Sequence, residues 1–183
     1  MAIKINIQKA KENYDPGTSK FFGSPTVPSD MLDIYNENEI FFCQINIKEL
    51  KHLDKDDILP NSGYIYIFLD TTNSKYNLIS RVIYKKEEPT HILDDFNKEV
   101  EEFEQYIIPY IMTFEECDDY ENCTRLFGYP NDWNYQEEPR KLFMQFDPLD
   151  NEIGFLDSLD GLLYFFFNKE FDLTSIELHE EYS

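Results

Sequence analysis

Apolar and polar positions alternate through Ile3, Ile5 and Ile7, the period-two signature of a half-buried strand. Turn formers then crowd residues 14–19, and the two prolines and glycine of residues 21–28 exclude a regular helix there. Residues 40–47 and 63–69 are nearly continuous apolar runs, β-branched and aromatic, which predicts two buried strands. Residues 48–57 form a polar connection with room for one helical turn, and residues 80–85 read as a shorter strand. Between Asp94 and Gln105 the period changes. Phe96, Val100, Phe103 and Ile107 recur at three- and four-residue intervals with acids between them, which predicts an amphipathic helix ending before Pro109. Residues 110–114 look extended, 115–122 read as an acidic loop, and 141–146 and 162–167 as two further buried strands. The expected fold is α+β and β-rich, with few short helices and one domain over residues 1–183.

The two halves echo each other. Phe22-Gly23-Ser24-Pro25 is answered by Phe127-Gly128-Tyr129-Pro130, and Phe42-Cys43-Gln44-Ile45 by Phe143-Met144-Gln145-Phe146. Gly63-Tyr64-Ile65-Tyr66 is answered by Gly161-Leu162-Leu163-Tyr164. The order is kept, and the spacing falls from 105 to 101 to 98 residues, as shorter loops in a second copy would produce. This predicts an internal duplication, with repeats over about 20–90 and about 110–175. The halves would form two related antiparallel sheets packed face to face around a pseudo-two-fold axis.

Gln44 and Gln145 are polar amides inside apolar strands, and a buried amide requires partners. One reading makes both braces of neighbouring backbone, since most side-chain hydrogen bonds go to backbone or water. The other places them in a groove between the repeats, where Arg81, Arg125 and Trp133 are the further candidates to contact a ligand.

Composition narrows the class of partner. The chain has 183 residues, of which 42% are hydrophobic and 16% aromatic, enough for a packed aromatic core. Its 37 acidic and 16 basic residues give a net charge of −21. That field opposes phosphate backbones and anionic membranes, and steers in a basic protein. No apolar run matches a spanning helix, and residues 1–9 alternate instead of forming an apolar signal core, so no secretory signal is expected. Cys43, Cys117 and Cys123 follow no framework spacing, so free thiols and a cytoplasmic location are expected.

These motifs together resemble the YwqG-like family, a bacterial domain family of unknown function. The resemblance rests on residues 22–28, Phe42-Cys43-Gln44-Ile45 with Glu49-Leu50, and residues 59–66. Later it rests on 126–130, 142–145 and 161–165, so it covers roughly residues 20–170. The chain departs from it at Ser24, where members commonly carry a second glycine. It departs again at Gly154-Phe155-Leu156-Asp157, in place of a Trp-Gly-Asp-like stretch. The resemblance implies a mixed, β-rich fold and supplies no reaction.

Catalytic signatures are missing. Neither phosphate-cradling loop nor a G-x-S-x-G elbow occurs, and the histidines are only His52, His91 and His179. Cys117, Cys123 and His91 match no zinc-ribbon spacing, and the acids at 54–57 and 147–152 match no calcium loop. No cofactor or metal is expected. The leading expectation is a protein-binding module, in its sharpest form an immunity or antitoxin-like protein masking a basic partner. The alternative is a small-molecule-binding protein or enzyme with its site in the groove between repeats.

Overall fold

A computed structural model describes residues 1–36, 38–70, 78–94, 96, 104–131, 140–148 and 161–181. The strands are β1 (Ala2–Lys9), β2 (Lys20–Phe21), β3 (Thr26–Val27), β4 (Glu39–Asn46), β5 (Tyr64–Asp70) and β6 (Ile79–Lys85). They continue as β7 (His91–Ile92), β8 (Tyr110–Cys117), β9 (Arg125–Leu126), β10 (Lys141–Phe146), β11 (Leu163–Phe167) and β12 (Ile176–Glu180). One short helix, α1 (Ile47–Leu50), follows β4, and the Asn46 side chain caps it by accepting from the Lys48 N–H.

Ten strands form one antiparallel sheet in the order β12-β11-β10-β9-β1-β8-β2-β4-β5-β6. This corrects the expectation of two separate sheets. The reason lies in β1 and β8, which pair over their full length from Ala2 opposite Cys117 to Lys9 opposite Tyr110. Each also carries a two-residue strand on its other edge, β9 on β1 and β2 on β8. The hydrogen-bonded ladder therefore crosses the middle of the molecule without a seam. Counted outward from that central pair, one side runs β9, β10, β11, β12 and the other β2, β4, β5, β6. The sheet curls until its edges nearly meet, where the Leu78 N–H donates to the Glu180 carboxylate at 3.0 Å.

Curling explains why β4, β5, β10 and β11 are apolar on both faces. Their inner faces share one core with Ile3, Ile5, Phe21 and Leu126. Phe42 meets Phe146 at 5.1 Å and Phe165 at 5.8 Å between ring centroids, so aromatic side chains fill the space between the halves. On the outer face of β4 and β5, Phe41, Tyr66 and Phe68 lie under Val27, Met31 and Phe96. On that of β10 and β11, Leu142 packs with Tyr164 and Phe166. A β-bulge sits between Phe41 and Cys43, and another between Leu142 and Met144. Each turns two consecutive residues inward, Phe42 with Cys43 and Phe143 with Met144, and so sends the following glutamine outward.

Most of the expected helix over 94–105 lies outside the described residues; Glu104–Ile107 forms one 3-10 turn. The acidic loop starts later than expected, because β8 runs on to Cys117 against β1. β12, for which the sequence pattern predicts no element, pairs with β11 from Ile176 opposite Phe167 to Glu180 opposite Leu163.

Candidate functional site

The two glutamines sit on the outer face, fully buried beneath loops. Gln44 accepts from the Thr26 N–H at 2.9 Å and donates to the carbonyls of Pro16 (3.0 Å) and Thr18 (2.9 Å). Gln145 accepts from the Asn131 N–H at 3.1 Å and donates to the Cys123 carbonyl at 3.1 Å. Each amide thus ties together the chain before and after a short strand, β2 in one half and β9 in the other.

Opposite each glutamine stands a buried cation. Lys20 pairs in register with Gln44, and Arg125 with Gln145; both cations have no exposed surface. Lys20 Nζ donates to the Pro16 carbonyl at 3.0 Å and to Thr26 Oγ1 at 3.4 Å, with the Tyr14 ring 5.3 Å away. Burial pulls its pKa down to about 8, against a smaller opposing pull from Asp15. Arg125 donates to the carbonyls of Glu121 (3.0 Å), Phe127 (2.5 Å) and Tyr129, and to Asn131 Oδ1 at 3.0 Å. Burial lowers its pKa too, offset by the neighbouring Cys123 and Cys117. Among the described residues neither cation has a carboxylate within ion-pair distance, so carbonyl dipoles do the neutralising.

Of the five sequence candidates, Arg125 and Gln145 come together at 3.4 Å, while Gln44 lies in the other half. Arg81 belongs elsewhere. It forks onto Glu39, donates to the Ile34 carbonyl and lies 4.6 Å over the Phe68 ring. Trp133 lies outside the described residues. Sequence reasoning missed Lys20, although its signal was there: Lys20 and Arg125 are 105 residues apart, like Phe22 and Phe127.

Above Lys20 and Gln44 opens a cleft of about 380 Å³. Its walls include Asp15, Gly17, Asn46, Tyr64, Glu88 and Ile92. Asn46 Nδ2 donates to the Tyr64 hydroxyl at 3.1 Å, and that hydroxyl donates on to Glu88 at 3.4 Å. Burial first, and then the Glu88 charge, push the Tyr64 pKa up to about 12, so the phenol keeps its proton. Lys48 closes the rim as an exposed ion-pair partner of Glu88.

In the second half, the residues 105 positions on from Asp15, Pro16 and Gly17 are Tyr120, Glu121 and Asn122. Here the loop carries exposed aromatics. Tyr120 (58% exposed) and Tyr129 (48%) stack with ring centres 4.9 Å apart and planes 13° off parallel. The Tyr129 N–H bonds the Asp119 carbonyl at 2.9 Å, which fixes the pair. Asp119 also meets the N-terminal ammonium at 2.9 Å, and Glu121 meets Lys4 at 2.9 Å.

Among the described residues, no three His, Cys, Asp or Glu side chains converge as metal ligands. Asp54, in the acidic run considered for calcium, instead caps its own turn by accepting from the N–H groups of Ile58 and Leu59, both at 2.9 Å. Among the same residues no helix is long and apolar enough to cross a membrane.

The curled sheet with its two glutamine–cation stations defines a β-rich domain whose polar features sit on its outer face. The chain belongs to the family described as domain of unknown function DUF1963, whose model matches residues 19–178. No curated protein matches the chain.

Proposed function

We propose that this chain is a cytoplasmic, acidic protein-binding module whose partner is a basic protein. The observation that carries the reading is the exposed Tyr120–Tyr129 stack beside Asp118, Asp119 and Glu121. The rings cover each other's inner faces, so a guanidinium or ammonium docks on the exposed outer face of the stack by cation–π attraction, and tyrosine is enriched at binding hot spots. The net charge of −21 supplies long-range steering toward such a partner. An immunity-like role, masking a basic toxin, is the sharpest form of this reading.

The architecture is read as a duplication around a pseudo-two-fold, in the YwqG-like branch of the family. Its support is the matching strand order, the matching bulges and the matched pairs Lys20/Arg125, Gln44/Gln145 and Tyr66/Tyr164.

The functional test is capture of partners from native lysate at low and at high salt. Basic proteins retained at low salt should be lost at high salt and lost again from a Tyr120→Ala/Tyr129→Ala variant. A Tyr35→Ala control, altering another exposed tyrosine, should keep them. Equal retention by the double variant would refute this face as the docking surface.

A further inference from the structure

We propose that the cleft above Lys20 and Gln44 is a second site, which binds an organic cation presenting a primary ammonium or a guanidinium group. It lies in the opposite half from the tyrosine stack and does not depend on that reading.

The cleft's chemistry is lopsided. Its walls present the carboxylates of Asp15 and Glu88, the Tyr64 hydroxyl and two threonine hydroxyls, whereas no Lys or Arg is among its lining residues. The donors nearby are already committed. The Lys20 ammonium is buried and turned onto the Pro16 carbonyl and Thr26, and the Asn46 amide donates to Tyr64 and to the Gly17 carbonyl at 3.5 Å. The two carboxylates are only partly used: Glu88 accepts from Lys48 and the Tyr64 hydroxyl, and Asp15 from the Gly17 N–H at 2.9 Å. A carboxylate has about four lone-pair sites, so spare acceptor capacity remains beside the phenol, and such a lining selects a cation with several N–H donors.

The protein itself illustrates the fit. The Lys48 ammonium already sits on Glu88 Oε1, at the rim, from an exposed position. Both partners of this pair are exposed, so water and salt screen it and an incoming cation displaces it readily. Pro16, Pro89 and Ile92 add apolar wall for the carbon chain behind the charged head. A volume of about 380 Å³ stands at the small end of ligand pockets, suited to a short amine or to one Lys or Arg side chain.

The cation could come from a free small molecule or from a basic peptide, and both sources are tested directly. The probes are 1,5-diaminopentane, agmatine and an Arg-Lys-Arg tripeptide capped at both ends. 1-Pentanol serves as the uncharged control. Binding is measured on the full chain by calorimetry and by amide chemical shifts at pH 7 and low salt. Saturable binding of at least one cationic probe is expected, with shifts centred on Gly17, Thr26, Tyr64 and Thr90 and no response to pentanol. Diamine or agmatine binding without the tripeptide assigns a free metabolite-sized amine; tripeptide binding assigns a protein side chain. Glu88→Gln should weaken the affinity five-fold or more, and Glu177→Gln, equal in charge but remote on β12, should leave it unchanged. Tyr64→Phe provides a second cleft variant should Glu88→Gln unfold. Absence of saturable binding by all three cations would overturn the proposal, as would equal weakening by Glu88→Gln and Glu177→Gln.

Discussion

Gln44 shows how one side chain can hold a loop in place. Its three hydrogen bonds reach Pro16, Thr18 and Thr26, on both sides of β2. Replacing it by leucine keeps the volume but leaves a backbone N–H and two carbonyls without this partner. Gln44→Leu and Gln145→Leu should each lower stability by roughly 1–3 kcal/mol. Urea unfolding should then show a lower midpoint with an unchanged slope; midpoints at or above the parent's would mean the amides are not braces. Lys20 adds a pH dependence of definite sign. Its folded pKa of about 8 lies below the ordinary lysine value of 10.5, so between those values the unfolded chain binds more protons. This group therefore makes the protein more stable as pH rises through that window, by on the order of 3 kcal/mol at its upper end. Buried thiols and the Tyr64 phenol titrate nearby with the opposite sign, so the comparison is between parent and Lys20→Met. From pH 7.5 to pH 10 the parent should gain stability relative to the variant. A constant difference between the two would show that Lys20 is not depressed.

At the scale of elements, the phenylalanine–glycine turns govern where β2 and β9 end. Phe22 and Gly23 have φ of 54° and 72°, and Phe127 and Gly128 have 62° and 76°. Two successive left-handed residues reverse the chain sharply, and a bulky first member tolerates it because its ring is locked in the core. A Cβ on Gly23 would stand 2.8 Å from Pro109 Cβ, and one on Gly128 2.7 Å from the Asp119 carbonyl oxygen. Gly23→Ala and Gly128→Ala should each cost about 1–3 kcal/mol, read as a fall in thermal midpoint; unchanged midpoints would show the turns can relax. These turns were legible from Phe-Gly-x-Pro, and so were the long apolar strands, because full burial leaves continuous hydrophobic runs. The bulges were not legible, since in the sequence the alternation simply breaks before Gln44. Nor were β2 and β9, whose two residues cannot display a period. β12 escaped because only Ile176 and Leu178 face apolar neighbours and the charges between them read as a tail. The cleft was illegible for another reason: its walls come from positions as far apart as Asp15 and Ile92, and only the curl of the chain joins them.

For the whole molecule, the decisive question is whether the halves can stand apart. Each has its own outer-face cluster, which by itself would allow independent units. Three features argue for a single cooperative body. The β1–β8 ladder carries β9 and β2 on its two edges, the Glu180 carboxylate of β12 meets the N–H of Leu78 beside β6, and one aromatic core receives residues from both sides. Phe146 is central to that core, touching Phe42 at 5.1 Å and Phe21 at 5.1 Å, both from the opposite half. Removing its ring leaves a cavity bordered by each half, and Phe146→Ala should cost about 3–5 kcal/mol. The distribution of that loss matters more than its size. In a cooperative body, amides of β5 and β11 should lose hydrogen-exchange protection by the same factor, and fluorescence and circular dichroism should report one coincident transition. If β11 lost protection while β5 kept the parent's, the first half would be a separate folding unit, and the seamless sheet would join two domains without coupling them.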